Sequence, residues 1–193
     1  MAGKNPQNEP SRPTTKDTAV IVIDVQEALA SAMKEKIADK IIRQTITLIE
    51  AAKILDLPTV VTEQYPRGLG PTLPVVRDAL GDRYRPLEKL SFSVMGERYI
   101  ADVIENTGAR HLILAGMETH VCVLQSALDL CDAGYLPHIA ADAVCSRTEL
   151  DWETGITSMR DAGVGIGTVE QYLFLLLERA GSDQFKAISK MLK

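Results

Sequence analysis

With 193 residues, 46% of them hydrophobic and 24% charged, the chain is long enough for one globular domain with a substantial core and needs no second. A net charge of −5, with acidic and basic residues interspersed, supplies no basic stripe for nucleic acid or for an anionic membrane. Apolar runs such as TAVIVID and YLFLLLE fall far short of the roughly 20 residues that span a bilayer, so neither partner is expected and the protein is placed in the cytoplasm.

Taken in order, residues 1–17 set three prolines among polar residues and lack the apolar core of a signal peptide, which predicts a disordered arm ahead of a single domain over 18–193. TAVIVID is a continuous β-branched run, as in a strand buried on both faces, and LPTVVTE, RHLILAG, YLPHIAAD and GVGIGTV repeat the pattern. Between them, KEKIADKIIRQTITLIEAAKIL, GERYIADVIENTG, VCVLQSALDLCDAG and ELDWETGITSMRDAG space their apolar residues three and four apart, and several end in Gly. Residues 65–93, rich in Pro, Gly and Arg, read as the one long irregular stretch, with a sixth strand near RPLEKL. Two helices are expected after the last strand. The alternation predicts a three-layer α/β/α sandwich around a doubly wound, mostly parallel sheet of about six strands.

In such a sheet, ligands gather outside the carboxyl ends of the strands, where strand order reverses. Asp24 closes the first strand, and the knot GMETHVC closes RHLILAG. If the two strands are neighbours, the Asp24 carboxylate and the Cys122 thiol share a rim. Cys122 is then at the first turn of a helix, where free N–H groups favour a thiolate. Lys89, just after the expected extra strand, reads on its own as a surface lysine; were it to reach the same rim, a buried cation there would hold both groups in their charged forms.

These residues resemble the isochorismatase-like cysteine hydrolases, a family that includes nicotinamidases and carbamoylsarcosine amidase. The resemblance runs over nearly the whole chain after the arm. It rests on Asp24 and Gln26 in DxQ, on Lys89 ahead of Phe92 and Ser93, and on Gly116, Thr119, Cys122 and Val123 in a Gly-x-x-Thr-x-x-Cys-Val turn. The loop with Asp142, Ala143, Ser146 and Arg147, and the segment Gln184 to Lys193, look most like the isochorismatase domain-containing members. The resemblance implies an Asp24/Lys89/Cys122 triad, a cis peptide between Met117 and Glu118, and an oxyanion hole from the N–H groups of Glu118 and Cys122. It also implies a homo-oligomer, a dimer or tetramer. Nicotinamidases hold a metal with His and Asp ligands between the catalytic Asp and Lys, and no His lies between Asp24 and Lys89, so no metal and no cofactor are expected. The expected activity is a metal-independent hydrolysis of a small amide-like substrate through a covalent intermediate.

Gln26, Tyr65, Phe92, Glu118, Thr119 and Arg147 are the candidate pocket residues. The remaining cysteines read differently: Cys131 as core packing, Cys145 as a loop thiol on the same rim and a second candidate nucleophile. All three cysteines are expected to be reduced, their odd number lacking CxxC spacing. His120 reads as a pocket wall or subunit contact, and His111 and His138 as structural residues at strand starts. Arg83, Arg85 and Arg98 read as a solvated face. Two other readings are a catalytically silent interaction module and a vinyl-ether hydrolase. A nucleotide-binding Rossmann protein is disfavoured because DVQEAL, not GxGxxG, follows the first strand.

Overall fold

The β-branched run Thr18–Ile23 forms β1, and the side-chain alternation of a strand divides it between two cores: Val20 and Val22 face one, Ala19, Ile21 and Ile23 the other. The structure, a computed structural model, describes residues 12–192. After β1 come α1 (Glu27–Ser31), α2 (Glu35–Ile54), β2 (Thr59–Gln64), α3 (Pro66–Leu69), α4 (Pro74–Leu80), β3 (Leu87–Lys89), α5 (Arg98–Asn106) and β4 (His111–Met117). Then follow α6 (Leu124–Asp132), β5 (Leu136–Cys145), α7 (Glu149–Asp161), β6 (Gly165–Gly167), α8 (Val169–Leu177) and α9 (Asp183–Met191). Residues 1–11 of the expected arm lie outside the described residues, as does Lys193. Within residues 12–17, Asp17 accepts bonds from the Thr14 N–H and hydroxyl, and its carbonyl receives the Arg110 and His111 N–H groups at 2.9 Å.

The six strands are parallel and run in the order β3-β2-β1-β4-β5-β6, with helices on both faces. This is the doubly wound sandwich expected from the alternation. One core packs α2, α4, α8 and α9 on the sheet, the other α5, α6 and α7. Helices α5, α6 and α7 are followed by Gly108, Gly134 and Gly163 at φ of 68°, 87° and 88°, the left-handed stop that glycine takes without a steric penalty. Two details differ from the expected pattern. The stretch 65–93 holds helices α3 and α4 as well as β3. Strand β5 also runs on to Cys145, because its register against β4 shifts between Leu114 and Gly116 and absorbs extra residues.

Register sets the site. Ile23, at the end of β1, has Thr62 of β2 on one side and Gly116 of β4 on the other, and Gln64 sits beside Lys89. A side chain at Gly116 would collide with the Ile23 carbonyl, so glycine is what lets β4 close against β1 at this point.

Away from that rim, His111 opens β4 and His138 lies near the start of β5; their rings stack at 5.1 Å, with Nδ1 of His111 2.8 Å from Nε2 of His138. Tyr172 packs edge-on against His138 at 5.5 Å. Burial, then His111, pushes His138 down to about 4, and burial lowers His111, with Asp17 opposing and Arg110 assisting. The unfolded chain takes up protons near pH 6.5 and the folded chain only near 4, so stability is complete above 6.5 and falls as pH drops between them. Urea unfolding at pH 7 and pH 5 is expected to show a loss on the order of 2 kcal/mol, and His138→Phe to flatten that dependence.

Candidate active site

Asp24, Lys89 and Cys122 arrive at one carboxyl rim from β1, β3 and the turn after β4. Asp24 follows β1 in the left-handed region at φ 52°, an uncommon conformation for a non-glycine residue, and one of a kind that clusters at functional sites. Its carboxylate is fully buried. Oδ1 accepts the Thr62 hydroxyl at 2.7 Å and Oδ2 the Lys89 ammonium at 2.6 Å. Lys89 is sealed in as well, its Nζ also reaching Gln64 Oε1 at 2.8 Å and the carbonyls of Phe92 at 3.0 Å and Ser91 at 3.3 Å. With four acceptors around three N–H donors, the ammonium has nothing left for a ligand.

The β4 exit bends sharply. The Met117–Glu118 peptide is cis, and Thr119–Val123 then form one π-helical turn that receives Val121 and Val123 N–H groups on the Glu118 carbonyl before α6 begins. Cys122, 5% exposed, is carried by that turn, and its thiol interacts with both Asp24 and Lys89. A thiolate favoured by a helix start is not what the structure shows: burial, and then the Asp24 charge, push the thiol up to about 12 despite Lys89. Desolvation outweighs the turn's dipole. Asp24 is itself raised above the usual carboxylate range, by burial, with Lys89 the main opposing influence. The Cys122 thiol thus lies beside a carboxylate of enhanced basicity.

The pocket candidates separate into different environments. Gln26 is fully buried, with Nε2 donating to the Gln64 and Gly70 carbonyls and Oε1 accepting the Gln64 N–H, so its amide is spent on main chain and offers a ligand nothing. Glu118 accepts Arg147 Nε at 2.9 Å and Arg147 N–H at 3.3 Å, tying the cysteine turn to the turn after β5. Thr119 is buried, and its hydroxyl has no hydrogen-bond partner among the described residues. Tyr65 and Phe92 are half exposed. A cavity of about 330 Å³ opens beside Tyr65, Glu88, Lys89, Glu97 and Tyr99; it borders the site through Lys89 and its lining does not include Cys122.

Cys145 is not the expected loop thiol. It is the last residue of β5, paired in register with Met117, 2% exposed and pushed up to about 12 by burial and then by the Glu118 charge, without the buried cation that stands beside Cys122. His120 bonds Ser146 through Nδ1 at 2.9 Å. Two partners went unread in the sequence, Thr62 and Gln64; the polar end of an otherwise apolar strand, TEQ, was the available signal. Among the described residues no group of three or more His, Cys, Asp or Glu is placed to share a metal ion.

A parallel α/β sandwich with an aspartate, a lysine and a cysteine buried together at its topological switch point defines the class: a cysteine-bearing hydrolase fold. The isochorismatase domain model matches residues 18–171, and the chain belongs to that family. It is 36% identical to the secreted isochorismatase effector Isc1 of Phytophthora sojae, over 91% of this chain and 84% of that one. With isochorismatase domain-containing protein 2 of Danio rerio the identity is 33%, over 94% and 89% of the two chains. Among solved structures, MAR1 ribonuclease from Caenorhabditis elegans superimposes with a TM-score of 0.87 at 36% identity, covering 94% of this chain and 92% of that chain. The Escherichia coli YcaC product, an octameric hydrolase of unknown specificity, does so with a TM-score of 0.81 at 25% identity, covering 89% and 85%.

Proposed function

We propose that the chain is a metal-independent cysteine hydrolase acting on a small amide or related carbonyl compound. The observation that carries this reading is the sealed Lys89–Asp24 pair at 2.6 Å with the Cys122 thiol against it. The Cys122 proton passes to Asp24 as Sγ bonds to the substrate carbonyl carbon, and the oxyanion forms against the N–H groups of Glu118 and Cys122. The carbon–nitrogen bond breaks and the amine leaves with the proton from Asp24. Asp24 then takes a proton from water, whose oxygen attacks the thioester; the acid departs and the proton returns to the cysteine sulfur. A raised Asp24 suits this exchange, because a base works best when its pKa approaches the working pH. Lys89 keeps the cluster charged without touching substrate.

Tyr65, Phe92, Thr119 and Arg147 form the binding surface in this reading, Thr119 contributing a buried hydroxyl without a partner among the described residues. The three unpaired cysteines suit a reducing cytoplasm. Among the described residues no helix is long and apolar enough to cross a membrane. A homo-oligomer is supported by the octameric E. coli relative and by exposed Leu90, Leu150 and Phe174. We assign no nucleic acid partner, since cations and carboxylates are interspersed along the chain; cleavage of RNA by the purified protein would reverse that assignment.

The test is intact-mass spectrometry after incubation with primary amides, nitriles and activated esters. An acyl adduct mapped to Cys122 is expected. A product formed with no adduct, from a vinyl ether such as isochorismate, would favour the second reading, which the family and the P. sojae relative's name support and which needs no nucleophilic sulfur.

A further inference from the structure

Lys89 does not fix its own position. Two of its four acceptors, the Ser91 and Phe92 carbonyls, belong to the turn that follows β3, so the shape of that turn decides where the ammonium sits. Glu97 shapes it. At the N-cap of α5, an acidic residue ordinarily accepts N–H groups of its own helix, yet Glu97 makes no such bond. Its Oε1 reaches back to the Ser91 hydroxyl at 2.9 Å, the Ser91 N–H at 3.1 Å and the Leu90 N–H at 3.2 Å. Gly96 makes the approach possible: a Cβ there would lie 2.5 Å from Ser91 Cβ and 2.7 Å from its Oγ. Farther along, the turn is anchored by Val94 N–H on Ser126 Oγ at 3.0 Å, which leaves residues 90–92 shaped by Glu97 and by Gln64, whose Nε2 holds the Leu90 carbonyl.

We propose that Glu97 is a positioning residue for the Lys89 ammonium, acting through the 90–92 turn and so maintaining the cation beside Asp24 and Cys122. The inference rests on the reading of Cys122 as the nucleophile. Bonds from the Ser91 N–H and hydroxyl, then from Leu90, hold the Glu97 carboxyl below the usual range, with a smaller contribution from the Lys89 charge, so the strap is anionic at neutral pH. Removing its acceptor oxygen releases the two carbonyls. The ammonium then drifts from the sulfur, whose thiolate it favours.

The experiment compares iodoacetamide alkylation of Cys122 at pH 8, followed by peptide mass, in wild type, Glu97→Ala, Glu97→Gln and Gly96→Ala, with the thermal midpoint of each. Glu97→Ala is expected to slow alkylation about 3- to 10-fold, a thiol shift of roughly half to one pH unit. Gly96→Ala, which displaces Ser91 without altering charge, should slow it likewise, and Glu97→Gln, keeping an acceptor oxygen, should recover most of the rate. A purely structural strap gives the opposite sign, because a loosened turn exposes the sulfur and speeds its reaction. Unchanged or faster alkylation in both Glu97→Ala and Gly96→Ala, with wild type reactive, overturns the inference alone. A wild-type Cys122 that resists alkylation at every pH removes the nucleophile reading and this inference with it.

Discussion

Cys122→Ala is expected to abolish turnover of any amide or ester the wild type hydrolyses, by at least about 10⁴-fold, while the protein stays folded. The sulfur is the only atom in the cluster able to bond to a carbonyl carbon in the proposed scheme: Asp24 is engaged by Thr62 and Lys89, and the Lys89 ammonium has its donors filled. The structural cost is small. Cys122 contributes one buried atom beyond alanine, and its turn is held by main-chain bonds to the Glu118 carbonyl, so the loss should stay near 1 kcal/mol, or about 2–4 °C in thermal midpoint. Measuring kcat/KM beside a thermal scan separates the two effects. An alanine variant that turns over at wild-type rate would remove the covalent route and leave the vinyl-ether reading.

Lys89→Met is expected to be the most damaging single change to stability in the site, costing about 3–5 kcal/mol at pH 7. Both side chains of the pair are fully buried, and deleting the cation leaves Asp24 as a carboxylate with only the Thr62 hydroxyl and the Cys122 thiol around it. The defect has a pH signature. Burial already raises Asp24, and without the Lys89 charge it rises further, so in the variant the folded chain binds a proton that the unfolded chain releases above about 3.8. With more protons on the folded state, stability falls as pH rises and returns as pH falls. The gap between wild type and variant should therefore narrow between pH 7 and pH 5, measured by urea unfolding; the histidine pair contributes equally to both and cancels. Asp24→Asn in the Met background should restore part of the loss, since it removes the unpaired charge. A gap independent of pH would show that Asp24 stays ionised without its partner.

The sequence made the alternation of strands and helices plain because β1 and β4 are buried on both faces and admit almost only apolar residues. Helices α3 and α4 escaped because each is short, although Pro66 and Pro74 stand at the first helical position, where proline's missing N–H costs nothing. Cys145 was misplaced for a similar reason: the register shift that lengthens β5 depends on what β4 presents opposite, which no local pattern encodes. Asp24 and Cys122 could be proposed from strand ends alone. Lys89 could not, because it owes its burial to the pairing of β3 with β2 and to carbonyls that face it only after the turn has closed. Gln26, read as a pocket group, turned out to have its amide engaged by the main chain of Gln64 and Gly70.

The two outer strands, β3 and β6, have three residues each. An edge so short exposes too few free N–H and C=O groups to template a foreign strand, and the part of β5 that runs past β6, Ala141–Cys145, is half-buried at Ala141 and Asp142 and buried from Ala143 on. The fold is thus guarded at both margins against strand addition and the fibrous aggregation that follows from it. Among the described residues, the surfaces left for association of copies of this chain are helices and loops rather than a sheet edge.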